Sequence, residues 1–211
     1  MARRFFVTGT DTGVGKTVVS AMLCAALDAI YWKPIQTGTR EGSDRATVMR
    51  MAGIPRSRTA PEVYRFAPPV SPHLAARRAH VQISLRAIGI AIPAPNENLI
   101  AEGAGGVFVP VNDSQFTTDV MAELGLPVLL VARTALGTIN HTLLSIFALR
   151  AARLKVHGVA MVGKPDKENW SAIERYGHVE VLGNLRPLAK LNRAALMDAF
   201  RKHFNRRSFG L

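Results

Sequence analysis

A single cysteine, Cys24, stands in 211 residues. With no second thiol an internal disulfide is impossible, and without clustered histidines there is no zinc-ligand spacing, so a disulfide scaffold and a zinc finger are both excluded. Long apolar runs are missing as well: no stretch of about 18 uncharged apolar residues occurs. The opening Met1-Ala2-Arg3-Arg4-Phe5-Phe6-Val7-Thr8-Gly9 turns polar too soon for a signal-peptide core. A soluble, cytoplasmic chain with no membrane partner is expected. Internal repeats, low-complexity tracts and linkers are also absent, while 48% of the residues are apolar. That suffices for a core, and one domain spanning residues 1–211 is expected.

Acidic residues are scarce. Fifteen Asp and Glu face 27 Lys and Arg, a net charge of +12. Such a balance suits nucleic acid, an anionic membrane surface or a small polyanionic substrate such as a nucleotide. Arg186, Lys190, Arg193, Arg201, Lys202, Arg206 and Arg207 crowd the C-terminal end against Asp198 alone, and read as a solvated helix face and chain end. Without aromatic interleaving, a helix-turn-helix or a sheet-platform motif, nucleic acid is not the expected partner.

The pattern along the chain alternates strand and helix. Phe5–Thr8 reads as a buried strand, Gly9–Gly15 as a turn and Lys16 to about Asp28 as a helix apolar on nearly every face, with Cys24 in the core. Ile30–Trp32 reads as a strand and Asp44–Met51 as a helix. The proline-rich Arg56–Pro72 reads as irregular connection. Further strands are expected at Leu99–Ala101, Val128–Val131, Val156–Val162 and Val179–Leu182, and helices at Asp119–Leu124, His141–Arg153, Trp170–Tyr176 and Arg193–Phe204. This is the signature of an α/β fold, a parallel sheet with helices on both faces, in which ligands bind beyond the carboxyl ends of the strands.

The sharpest motif is Gly9-Thr10-Asp11-Thr12-Gly13-Val14-Gly15-Lys16-Thr17, set between a strand and a helix. Its ending is what a phosphate cradle requires: glycine lets the backbone approach, the loop N–H groups and helix N-terminus face the anion, and Lys16 reaches the β and γ phosphates. Thr17 is then a magnesium ligand. Thr10 stands where the general P-loop has its first glycine, so the match is to a variant. Two further segments put chemistry beyond a strand end: Lys33-Pro34-Ile35-Gln36-Thr37-Gly38, and Glu102-Gly103-Ala104-Gly105-Gly106, a carboxylate followed by a glycine-rich turn. Glu102 is a candidate magnesium ligand. Asp44 is another, although it also reads as a helix N-cap.

Together with Ser43-Asp44, Ser71-Pro72-His73 and Leu136-Gly137-Thr138-Ile139-Asn140-His141, these segments resemble dethiobiotin synthetase, over roughly the first 145 residues. The resemblance implies a P-loop NTPase-like fold and an ATP-dependent ligase that joins 7,8-diaminononanoate and CO2, or bicarbonate, into a cyclic urea through a carbamate and a carbamic-phosphoric anhydride. It implies catalytic roles for Lys16, Lys33 and Thr37, with Lys33 stabilising carbamate and transferring phosphoryl and Thr37 bonding the carbamate. Thr12, Gly13, Val14, Gly15, Lys16 and Thr17, with Asp44, Glu102, Gly103, Ala104 and Gly105, would hold Mg2+ and ATP, the metal falling to Thr17, Asp44 and Glu102. Thr12, Lys33, Thr37 and Gly106 would meet the diamine. A homodimer with shared active sites is implied, with Asn140 reaching the neighbour's substrate.

Where that family often carries Asn-Asp to read adenine, this chain has Gly163-Lys164, and the C-terminal end is unusually basic. A rival reading is a partitioning or positioning ATPase of the related P-loop group. Such proteins carry a lysine five residues before the loop lysine, and here Asp11 inverts that charge. A small-molecule kinase leaves Glu102–Gly106 and Gly137–His141 unexplained. His141 opens a helix and reads as orienting a loop, and the other histidines are too scattered for a metal. Trp170 is expected either to cover the diamine's aliphatic chain or simply to pack.

Overall fold

The computed structural model describes residues 2–211. In chain order it contains β1 (Arg4–Gly9), α1 (Lys16–Leu27), β2 (Ile30–Trp32), β3 (Ile35–Gln36), α2 (Asp44–Ala52), β4 (Tyr64–Arg65), α3 (Pro72–Arg78), α4 (Leu85–Ile90), β5 (Leu99–Gly106), α5 (Thr117–Leu124), β6 (Val128–Arg133), α6 (Thr138–Ala151), β7 (Val156–Val162), α7 (Lys167–Gly177), β8 (Val181–Leu185) and α8 (Arg193–His203). Short 3-10 turns lie at Thr39–Glu41, Arg56–Arg58 and Arg206–Phe209.

Six strands form one sheet in the order β2-β5-β1-β6-β7-β8, every pair parallel. Both faces are covered, and the strand residues divide between them with period two. Phe5, Val7, Tyr31, Ile100, Leu129 and Val131 join one buried cluster with residues of α1, α2 and α8. Phe6, Trp32, Leu99, Ala101, Val128 and Leu130 join the other, with residues of α3 to α7. Each large side chain so buried contributes about 1.5 to 3 kcal/mol. α1 is sandwiched between the sheet and its neighbouring helices, hence its apolar character on nearly every face. β1 has β5 on one side and β6 on the other, so the chain reverses its winding there, and the loop after β1 opens into the resulting crevice.

Several elements differ from expectation. Arg56–Pro72 is not merely irregular: β4 lies within it and pairs with β3 in a second, two-stranded parallel sheet. Pro72, the last of its prolines, starts α3, since proline at the first helical turn lacks only an N–H that has no partner there anyway. α4 was hidden in a short segment and is capped by Ser84, whose Oγ accepts from Ala87 N. Gly103–Gly106 is not a turn but the continuation of β5. Its glycines permit close approach: a Cβ on Gly103 would lie 2.9 Å from the Phe6 ring. β8 lies further along than Val179–Leu182, because Val181, Gly183, Asn184 and Leu185 are the residues that pair with β7; Gly183 also passes so close to the end of α8 that a Cβ would sit 2.4 Å from His203 O. α5, α6 and α7 each begin two or three residues early; for α7 the cause is Asp166, whose carboxylate caps Asn169 N.

Candidate active site

The loop between β1 and α1 is anchored from below. Thr10 N donates to Val131 O on β6 at 2.9 Å, and the Val14 side chain turns inward beneath Gly9. Gly15 has φ 102°, a conformation that disfavours any side chain, and a Cβ there would meet Val162 at 3.0 Å. α1 starts directly after it with no side-chain cap and no acid in its first turn, which leaves its first N–H groups to an incoming anion. The Lys16 ammonium is buried and donates to Asp11 O at 2.8 Å. Burial, with Lys33 nearby, lowers its pKa against the pull of Glu102 and Asp44. The Asp11 carboxylate accepts from Thr12 N and from Arg133, each at 2.6 Å.

Across the crevice the ends of β2 and β5 meet the start of α2. Ser43, not Asp44, caps α2, its Oγ accepting from Ala46 N at 3.2 Å. Asp44 is the first residue of the helix, its carboxylate directed into the site. Lys33 is tied to Asp44 Oδ2 and lies 3.4 Å from Glu102 Oε1. Burial pushes the Lys33 ammonium down, but the Glu102 and Asp44 carboxylates outweigh it and hold its pKa above the ordinary value. Burial likewise opposes ionisation of Asp44, and Lys33 prevails in holding that pKa low. Glu102 is almost wholly buried, and its Oε2 accepts from the Tyr31 phenol at 3.0 Å. Burial and the adjacent Glu102 charge push the Tyr31 pKa well above its usual value, so it remains a donor.

Thr17 Oγ1 stands 3.1 Å from Asp44 Oδ1 and 3.0 Å from Glu102 Oε1. A hydroxyl carries one proton, so it can donate to only one of them. The other contact sets lone pair against lone pair, an arrangement that a hard cation among these oxygens resolves. Two carboxylates and a hydroxyl, completed by phosphate and water, fit Mg2+, which rarely occupies an all-protein cage. Among the described residues no group of three His, Cys, Asp or Glu gathers for a softer metal.

Thr12, Gly13, Gly15, Lys16, Thr17, Lys33, Thr37, Asp44, Glu102, Ala104 and Gly105 line one cavity of about 750 Å³. The remaining candidates do not. Val14 is buried under the loop, Gly103 faces Phe6, Gly106 lies against Gly9 and Thr10, and Asn140 is exposed on the first turn of α6. Sequence reasoning did not single out Gln36, whose Oε1 accepts from Asp44 N, nor Tyr31 or Arg133. Beyond Val162, which abuts Gly15, a second cleft of about 430 Å³ is lined by Pro165, Trp170, Asn184 and Arg186 among others. Trp170 thus borders this cleft and not the larger cavity.

A family model described as an AAA domain matches residues 3–195. The chain is 47% identical over 209 residues to the ATP-dependent dethiobiotin synthetase of Agrobacterium fabrum, covering 99% of this chain and 98% of the relative. It is 49% identical over 205 residues to that of Novosphingobium aromaticivorans, covering 97% and 98%. Among solved structures it is similar to a ParA family ATPase from Chlorobium tepidum, with a TM-score of 0.59 over 93% of this chain and 96% of the other at 11% identity, which shows a shared P-loop fold and no more. Identity near one half along the full length of both relatives settles the closer kinship: the chain belongs to the family of ATP-dependent dethiobiotin synthetases.

Proposed function

We propose that the chain closes a cyclic urea from 7,8-diaminononanoate and CO2 at the expense of ATP, releasing ADP and phosphate, with Mg2+ as its metal. The observation that carries this reading is the convergence of two buried lysines, Lys16 and Lys33, with Thr17, Asp44 and Glu102 on a single cavity. Carbamate, triphosphate and mixed anhydride all concentrate negative charge, so the chemistry needs fixed cations and N–H donors more than a strong base. Lys16 and the loop N–H groups hold the β and γ phosphates. Lys33 has three protons; the two carboxylates engage two of them, and the third faces carbamate and the transferring phosphoryl group. Thr37, on the cavity wall, bonds the carbamate, and Thr12, Ala104 and Gly105 close the substrate side. Mg2+, held by Thr17, Asp44 and Glu102, supplies charge neutralisation at the phosphates.

The same reading makes the working unit a homodimer. Asn140, Leu144 and Phe147 share one face of α6, and Leu144 and Phe147 are 60% and 74% exposed. Leu136, just before the helix, is fully exposed. An apolar stripe next to an exposed asparagine suits a second copy of the chain, bringing Asn140 to the neighbour's diamine. Phosphate release with MgATP tests the activity: it should require diamine and bicarbonate together and ignore DNA. Lys33→Gln should still bind nucleotide while losing about 100-fold or more in that release. Release stimulated by DNA and indifferent to diamine would overturn the reading.

A further inference from the structure

Tyr31 is among the largest fully buried side chains, and the chemistry above assigns it no part. Its place follows from register. β2 pairs with β5 so that Tyr31 lies beside Ile100 and Trp32 beside Ala101. Side chains alternate along a strand, so Tyr31 and Ile100 face α1, while Trp32 and Ala101 face the other layer. Two residues further along each strand, the same face carries Lys33 and Glu102. The phenol therefore sits one step below the carboxylate and reaches it diagonally, donating to Oε2 at 3.0 Å. The opposite oxygen, Oε1, is the one that meets Thr17 and Lys33.

We infer that Tyr31 is a positioning residue: its hydroxyl occupies Glu102 Oε2 and so presents Oε1 to the metal. This rests on the magnesium reading above. A glutamate has three side-chain torsions, and its carboxylate can present either oxygen or both. The Glu102 carboxylate is buried, so an oxygen left without a donor is costly, and removing the phenol drives the carboxylate to turn until both oxygens share Thr17 and Lys33. That orientation competes with metal binding. Hydrogen-bond partners behind a ligand set its direction, and their loss weakens metal affinity by about 10- to 100-fold. In the orientation that presents Oε1 to the metal, Lys33 cannot take the phenol's place at Oε2, because it approaches Oε1 and is shared with Asp44.

Tyr31→Phe removes the hydroxyl and keeps the ring that packs in the core. The probe is Mn2+, titrated into protein saturated with ADP and followed by electron paramagnetic resonance. The variant should melt within a few degrees of wild type and bind metal-free ADP as wild type does. It should bind Mn2+ about 10- to 100-fold more weakly. In turnover the Mg2+ concentration for half-maximal rate should rise in proportion, with kcat at saturating Mg2+ within a few-fold of wild type. Mn2+ affinity within twofold of wild type overturns the inference, and so does a variant that fails to fold or loses metal-free ADP binding equally, since the hydroxyl would then hold the fold and not the ligand. A wild-type protein whose ADP complex takes no Mn2+ would overturn the metal reading itself, and this inference with it.

Discussion

Replacing Lys33 by Met removes the only cation bonded to Asp44 and Glu102 among the described residues, and leaves a side chain of similar reach. The Lys33 and Glu102 side chains are 9% and 0% exposed, and Asp44 is 28% exposed, so water does little to screen them. At 3.4 Å the Lys33–Glu102 attraction alone is about 5 kcal/mol at an effective dielectric of 20. Desolvation of the lysine already offsets part of that, and breaking a buried pair by removing one partner costs about 3 to 5 kcal/mol. For a chain of this length each kcal/mol moves Tm by roughly 2 to 4 °C, so metal-free Lys33→Met should melt about 6 to 20 °C below wild type. Because Lys33 has a raised pKa, its stabilisation is complete below the ordinary lysine value and fades only as pH rises through the raised one. Because Asp44 has a lowered pKa, its share is complete above the ordinary carboxylate value and fades as pH falls through the lowered one. The pair's contribution to wild-type stability should therefore be constant across neutral pH. Millimolar Mg2+ should recover more of the loss in the variant than it adds to wild type, since a cation again lies among the same oxygens. Calorimetry with and without Mg2+ measures both. A metal-free Tm within about 2 °C of wild type would refute the reasoning, because it would assign less than about 1 kcal/mol to a buried pair.

Three further outcomes are expected. The His157 ring packs tilted against Phe5, centroids 4.6 Å apart, and burial lowers its pKa, so its neutral form is favoured by folding; stability is complete above the ordinary histidine value and falls as pH drops through the lowered one. Urea midpoints at pH 5 and pH 8 should differ more for wild type than for His157→Phe. Phe147→Glu should give monomers in light scattering, and Asn140→Ala should raise the KM for diamine more than for ATP; an active monomer at assay concentration would remove the shared site. Gly163 has φ 133°, and a Cβ there would lie 2.2 Å from Thr134 Oγ1, so no side chain at that position reads the base, and Lys164 has donors only. A preference for ATP over CTP or GTP of less than about tenfold in kcat/KM is expected, about 1.4 kcal/mol, whereas a thousandfold preference would mean that other groups read adenine.

What was legible in the sequence was what chemistry or periodicity forces. β1, α1, β2 and β7 fall within a residue or so of their expected spans, because apolar runs bounded by glycine or polar residues have few alternatives in a parallel sheet. Lys16 and Thr17 were legible through the loop motif between a strand and a helix, and Lys33, Asp44 and Glu102 through the segments that carry the resemblance; all five line one cavity. α3 is hard to see in the sequence because a proline that usually breaks a helix here starts one. Gly103–Gly106 was misread because glycine signals either a turn or close approach, and only the neighbouring strand tells which. Here Phe6 and Gly9 on β1 decide it. Tyr31, Gln36 and Arg133 carried no local signal at all, since each acquires its partner through strand register or loop placement over spans of 71, 8 and 122 residues.

Following carbon and phosphate together tests the central claim most directly. The protein is incubated with 7,8-diaminononanoate, MgATP and ¹³C-bicarbonate, and products are resolved by mass spectrometry alongside phosphate release. The expected result is dethiobiotin carrying one ¹³C in its ring, with one ADP and one phosphate formed per ring. Phosphate release without a labelled ring, or a stable phosphorylated diamine with no free phosphate, would contradict it.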